Sequence, residues 1–372
     1  MPILRFCLCL YLCLCLWGGC GDHATNPAPI DDTTHLVGGV DLTRLFAPPT
    51  PGELAQIDAD WQHRPLPTGE ATTVLSTPLL LGRRTAELRI LSYAVGGSRQ
   101  YGALVVPAGA APGSLPLVVY LHGGDQGVHI EEFLLITLGL GEERDQYAYA
   151  LPSFRSEAIG YGGQEYLSEG EPSPWDGDVD DALGLVAAAL ATEPALDPQR
   201  LGAVGISRGG GVAMLMALRD PRFKRVVEFF GPTDLLDVFG QEIAEEALRG
   251  QLRVLPGTDY LNRTLLQPLR AGTLGLEAAR LELIRRSAVY FARRLPHLQV
   301  HHGTADPLVP VSQAQRLIAV MDSLGRSAPD FEAYLYPEGG HHPITLPGSL
   351  ERTQRFLAPL REPAPPYRIA AY

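Results

Sequence analysis

The sequence predicts an α/β fold built on a mostly parallel central sheet, with antiparallel strands at its start and a small helical cap inserted late. Three observations carry this expectation. Continuous apolar runs at residues 117–121, 147–151, 201–206, 226–230, 298–302 and 331–336 have the form of strands buried on both faces. Segments of helical length separate them, the pattern of a sheet wound with crossover helices. Residues 85–90 alternate instead, with Glu87 and Arg89 on one face and Leu88 and Ile90 on the other. Such alternation marks a half-exposed antiparallel strand, which pairs with residues 100–106 across Gly96-Gly97.

The start of the chain has a different character. Arg5 precedes a short apolar run, residues 6–17, which is too brief to span a bilayer, since about twenty residues are needed. Residues 1–19 therefore read as a signal peptide. All five cysteines lie within the first twenty residues, so the rest of the chain has neither a disulfide framework nor a thiolate metal site. Leu16-Trp17-Gly18-Gly19-Cys20 resembles a bacterial lipobox, which makes Cys20 the expected lipidation site and the only expected membrane attachment. Residues 20–45 are then a tether, and the expected location is the bacterial cell envelope.

A single domain is expected over residues 46–362, followed by a tail at 363–372. Within it, Thr50-Pro51-Gly52-Glu53 is a capping box with proline at the first helical position, opening a helix that Pro65 stops. Residues 50–84 thus form a helical extension ahead of the sheet, and Leu54 and Trp61 read as packing residues. Residues 157–178 lack periodicity and are rich in Gly, Pro and Ser, so a loop is expected. Asp176, Asp178, Asp180 and Asp181 fail as a calcium loop, because position twelve would be Ala187 where a bidentate Glu is required. They read instead as acidic residues favouring the positive end of a helix dipole. Residues 232–295 form the cap-like insertion, irregular at 257–272 and helical at 274–294, with Arg280, Arg285 and Arg286 on a solvated face.

The chemistry centres on Gly205-Ile206-Ser207-Arg208-Gly209, which lies between a buried strand and an apolar helix. That context turns a G-x-S-x-G match into a nucleophile elbow, a strained turn that presents the serine hydroxyl. A serine nucleophile requires a base, and the base a carboxylate to orient it. Asp306 stands 99 residues after Ser207, and His341 a further 35, each just beyond a buried strand. Parallel strands bring their C-terminal ends to one edge, so the three sites converge. His122-Gly123-Gly124 follows another central strand and supplies an oxyanion hole, with the backbone N–H groups of Gly123 or Gly124 and of Arg208 as donors. His122 itself reads as a structural residue of that loop. His301, His302, His341 and His342 do not suggest a metal site, since neighbours on a strand point to opposite faces. No cofactor is required. The net charge of −12 argues against a nucleic-acid partner.

Together, Leu121-His122-Gly123-Gly124, Gly205-Ile206-Ser207-Arg208-Gly209-Gly210, Gly231-Pro232-Thr233-Asp234, His302-Gly303-Thr304-Ala305-Asp306-Pro307 and Gly340-His341-His342 resemble the catalytic domain of the prolyl oligopeptidase family. The resemblance covers residues 85–360 and implies an α/β-hydrolase fold and a triad of Ser207, Asp306 and His341. Peptidases of that family often carry a β-propeller ahead of this domain, and the about sixty residues here are too few for one. A small cap then leaves a shallow site, and a secreted esterase or acyl hydrolase acting on a small ester or short peptide is expected. Two alternatives stand beside it. One is an aminopeptidase or dipeptidyl peptidase, with Glu157, Glu165 or Glu169 clamping a free amine. The other is an inactive hydrolase fold serving as a binding lipoprotein. The oligomeric state is open.

Overall fold

A computed structural model describes residues 34–362 apart from 66 and 68. The expected signal peptide, Cys20 and the tail at 363–372 lie outside the described residues. No helix among the described residues is long and apolar enough to cross a membrane.

From His35 onward the chain forms one compact unit. It enters through a short hairpin, β1 (Leu36–Val37) and β2 (Val40–Asp41), and the turn α1 (Leu42–Leu45). These residues were expected to belong to the tether, yet Leu42 and Leu45 are fully buried and anchor the arm in the core. Helix α2 (Pro51–His63) begins at the expected capping box, with Thr50 and Glu53 bonded reciprocally. The sheet starts sooner than the alternation at 85–90 suggests, with β3 (Ala71–Leu81) preceding β4 (Arg84–Val95). β3 carries Pro78, which is tolerated because β3 is the last strand at its edge of the sheet.

There follow β5 (Ser98–Pro107), β6 (Leu115–Leu121), β7 (Val128–His129), α3 (Ile130–Leu138) and β8 (Ala148–Pro152). Next come β9 (Ala158–Tyr161), β10 (Gln164–Leu167), α4 (Gly177–Thr192), β11 (Leu196–Ile206), α5 (Arg208–Arg219) and β12 (Phe223–Phe229). Part of the expected loop at 157–178 is thus an antiparallel hairpin, β9 with β10, and β7 adds to it in parallel. The cap holds α6 (Val238–Leu248), α7 (Thr258–Leu261), a π turn (Asn262–Leu266), α8 (Gln267–Arg270) and α9 (Leu276–Ile284). The chain closes with β13 (His297–Gly303), α10 (Ser312–Ser323), β14 (Phe331–Tyr336) and α11 (Ser349–Leu357).

Nine strands form one sheet in the order β14-β13-β12-β11-β6-β8-β5-β4-β3. Pairings from β8 to β14 are parallel, and those joining β3, β4, β5 and β8 are antiparallel. This is the α/β-hydrolase architecture. Two apolar clusters cover the two faces, which explains the unbroken apolar runs of the central strands.

The cap departs from expectation in two places. Residues 257–272 are not irregular but a succession of short helical turns. The helix expected at 274–294 ends with α9, and Ala288–Arg294 is a separate 3-10 segment. Arg280 and Arg286 are buried, not solvated. The Arg280 guanidinium binds Glu53 and the carbonyls of Arg44, Leu45 and Ala47, so it clamps the N-terminal arm to the cap. Arg286 binds the Pro174 carbonyl and Glu282.

Candidate active site

Four strands deliver the site residues to one edge of the sheet: β6 ends before Gly123-Gly124, β11 before Ser207, β13 before Asp306 and β14 before His341. Ser207 has φ 56° and ψ −122°, a conformation that L-residues rarely adopt, and α5 starts immediately after it. Two glycines allow this turn. A Cβ on Gly205 would stand 2.1 Å from the Gly209 carbonyl oxygen, and one on Gly209 would stand 2.1 Å from that of Leu121. β11, α5 and β6 therefore meet at backbone contact distance.

His341 Nδ1 lies 2.7 Å from Asp306 Oδ2. An ionised carboxylate only accepts hydrogen bonds, so Nδ1 carries the proton and Nε2 is the free basic nitrogen. The second carboxylate oxygen, Oδ1, accepts from the backbone N–H groups of Leu308 at 2.9 Å and Val309 at 3.0 Å. Burial by itself pushes the Asp306 carboxyl up, but these bonds outweigh it and hold the group below its ordinary value. The His341 ring also packs on Phe230, centroid to centroid 4.3 Å. The turn that presents His341 places Glu338, not a glycine, at left-handed φ 57°. Gly339 is required for space instead, since its Cβ would meet Gly303 Cα at 3.1 Å. His342, one residue on, turns to its own loop, where its Nδ1 accepts from the Ile344 N–H.

Gly123 packs against the elbow, and a Cβ there would stand 3.0 Å from Ser207 Cβ. Gly124 has φ 74°. Arg208 is the first residue of α5, so its N–H has no acceptor inside the helix and lies beside Ser207. Ser207, His341, Gly123, Gly124 and Arg208 all line one cavity of about 330 Å³. Its other walls come mainly from the cap, with Phe239, Ala244, Ala247, Leu265 and Leu266 among them. The site is therefore a partly open apolar chamber walled by the cap, and not the bare shallow surface that the small size of the cap had suggested.

The Arg208 side chain does what the sequence left unread. It is 2% exposed and binds Asp178 through two bonds of 2.7 Å, Glu157 at 2.5 Å and the Gly124 carbonyl at 3.1 Å. Glu157 in turn accepts from the Gly127 N–H. One guanidinium thus joins the elbow, the Gly123-Gly124 turn and the start of α4. Burial pushes the Glu157 carboxyl up to about 7 against the pull of Arg208. The neighbouring aspartates are arginine partners as well, Asp176 with Arg64, Asp180 with Arg219 and Asp181 with Arg155. The helix-dipole reading thus missed their main interactions. His122 is buried against Phe154 with ring centroids 4.5 Å apart, and burial lowers its pKa to about 4.

The remaining histidines are occupied separately. His301 bonds Tyr336 and Gln299, while His302 Nε2 donates to the Val309 carbonyl. Among the described residues no group of three or more His, Cys, Asp or Glu is arranged to hold a metal ion.

Comparison with solved structures places the fold. An acetyl xylan esterase from Thermoanaerobacterium sp. JW/SL YS485 superposes with a TM-score of 0.58 at 18% identity, covering 87% of this chain and 99% of that one. The acetyl xylan esterase of Paenibacillus sp. R4 gives 0.54 at 18% identity, covering 86% of this chain and 99% of that one. Dipeptidyl peptidase 4 of Porphyromonas gingivalis gives 0.51 at 16% identity, with 74% of this chain matched to 35% of that one. At these identities the likeness is one of fold. No curated protein sequence matches the chain. The model of the prolyl oligopeptidase family matches residues 144–358, more than half of the chain, beginning beyond the Gly123-Gly124 turn and running through the elbow, Asp306 and His341. On that match the chain belongs to the prolyl oligopeptidase family of serine hydrolases.

Proposed function

We propose that this enzyme hydrolyses carboxylic esters through an acyl-enzyme on Ser207. The observation that carries this reading is the strained Ser207 in one cavity with His341, whose Nδ1 is held by Asp306 at 2.7 Å. Ser207 Oγ attacks the carbonyl carbon and passes its proton to His341 Nε2. Negative charge develops on the carbonyl oxygen, where the N–H groups of Arg208 and of Gly124 or Gly123 stabilise it. The tetrahedral adduct collapses, the C–O bond to the alcohol breaks, and His341 returns the proton to the departing oxygen. Water then attacks the acyl-enzyme with His341 again as base, which releases the acid and restores Ser207. Asp306 orients the ring and stabilises the imidazolium.

An ester is favoured over a peptide with a free amino terminus, because an ammonium group requires a free carboxylate near the nucleophile. Glu157 is committed to Arg208, Glu169 bonds Arg99, and Glu165 is exposed on the β10 strand. None of the three lines the cavity. The acetyl xylan esterases, matched over 99% of their length, are consistent with this preference. The first twenty residues further support export, lipidation at Cys20 and a location in the bacterial cell envelope. The test is to compare p-nitrophenyl esters with aminoacyl p-nitroanilides, using the wild type and Ser207→Ala. Ester turnover that disappears with Ser207 is expected. Efficient anilide cleavage with negligible esterase activity would reverse the assignment.

A further inference from the structure

The cavity beside Ser207 has two properties that point beyond ester hydrolysis in general. The cap supplies most of its walls, and the cavity presents almost no available polarity. Apart from Ser207 and His341, the polar side chains that line it are either committed elsewhere or have their polar atom buried out of reach. The four hydrogen bonds of Arg208 go to Asp178, Glu157 and Gly124. The Thr258 hydroxyl is 2.7 Å from the carbonyls of both Arg253 and Leu255. The indole Nε1 of Trp175 has no hydrogen-bond partner, but it is buried beside Gly211 and is not exposed to the chamber. A charged or hydroxylated group drawn into this chamber would lose water and find no partner, at a cost that excludes it.

Resting on the esterase reading above, we propose that the chamber takes the acyl half of the substrate and selects a medium-length, uncharged aliphatic chain. The alcohol half has a different place available. A second, more open groove of about 610 Å³ adjoins the chamber at Phe239, Leu255 and Leu308, and it carries Glu242 and Arg253. That surface suits a hydrated alcohol and not a hydrocarbon chain. The length limit follows from volume. A cavity of about 330 Å³ lies at the low end of ligand pockets, which span roughly 300–1,000 Å³. The reacting carbonyl occupies the end at Ser207, so a chamber of this size takes a chain of medium length and not a long one.

The wall that sets this length is identifiable. On α6, Gly240, Ile243, Ala244 and Ala247 follow the spacing of one helix face, and all four line the chamber. The two alanines leave the space that a chain occupies. Leu266, from the π turn, contributes to the wall with a larger side chain. Ala244 and Leu266 are therefore specificity-determining positions.

The experiment measures kcat/KM for p-nitrophenyl acetate, butyrate, hexanoate, octanoate, decanoate and laurate on the full chain, beside a series of alkyl acetates from ethyl to octyl. Lengthening the acyl chain is expected to raise kcat/KM by up to about fourfold per methylene. The rise should stop near octanoate and fall by laurate, while the alkyl acetate series stays nearly level. Ala244→Phe should lower the octanoate-to-acetate ratio by at least about tenfold. Leu266→Ala should move the optimum to a longer chain, which keeps the inference testable if the bulkier variant does not fold. A level acyl profile with Ser207-dependent turnover would overturn the inference and leave the esterase reading intact. Length dependence in the alkyl series alone would overturn it by placing the alcohol in the chamber. Absence of Ser207-dependent turnover for every ester would instead remove the reading on which it rests.

Discussion

Replacing Asp178 by Asn removes a charge from a place that water does not reach. Asp178 is 0% exposed and Arg208 is 2% exposed, and they share two bonds of 2.7 Å. Breaking a buried ion pair by removing one partner costs about 3–5 kcal/mol, because the other charge stays buried. Here the lower end applies, about 3 kcal/mol, since Arg208 keeps Glu157 and the Gly124 carbonyl. Asn also retains an acceptor for the backbone N–H of Trp175, which now donates to Asp178 at 2.7 Å. The assay is urea unfolding followed by fluorescence, where a loss of this size lowers the midpoint by about 1 M at a slope of about 3 kcal/mol/M. Because the same guanidinium holds the Gly123-Gly124 turn to the elbow, kcat of the folded variant should fall by roughly 10²-fold. A stability loss below about 1 kcal/mol would refute the argument that Arg208 depends on Asp178.

Further predictions concern other positions. His341→Ala should abolish ester turnover, while His342→Ala keeps most of it, and the reverse result in the same steady-state assay would move the base by one residue. Glu228, buried beneath the elbow, has its carboxyl pushed up by burial from an ordinary 4.5 to about 8. The folded state then holds a proton that the unfolded state releases, so the contribution of Glu228 is present below pH 4.5 and lost as pH rises through 8. Glu228→Gln should therefore remove up to about 1.4 kcal/mol per pH unit from the decline in stability across that window, read from urea midpoints at several pH values. Cys20→Ser should release the protein from the detergent phase in partitioning experiments, and unchanged partitioning would end the lipidation proposal.

Much of this molecule was legible because strands buried on both faces leave a plain mark. The runs ending at Leu121, Ile206, His302 and Tyr336 read as parallel strands, and whatever follows a parallel strand lies at one sheet edge. What escaped depends on partners distant in sequence. Arg280 and Arg286 look like solvated charges until the N-terminal arm and the Pro174 segment are placed against them. Asp178 and Arg208 stand 30 positions apart, and nothing local pairs them among 30 basic and 42 acidic residues. The β9–β10 hairpin is hidden by the glycines of its turn, since the strands on either side have only four residues each. The depth of the chamber was not legible either, because cavity volume depends on how the cap turns pack, and length does not determine that.

The central claim is that Ser207 is the nucleophile. Reaction of the full chain with a fluorophosphonate, followed by peptide mass mapping, tests it most directly. One covalent adduct is predicted, on the peptide bearing Gly205-Ile206-Ser207-Arg208-Gly209. Ser207→Ala should remove the adduct and lower kcat by roughly four to six orders of magnitude. An adduct on any other serine, or undiminished turnover in Ser207→Ala, would contradict the account.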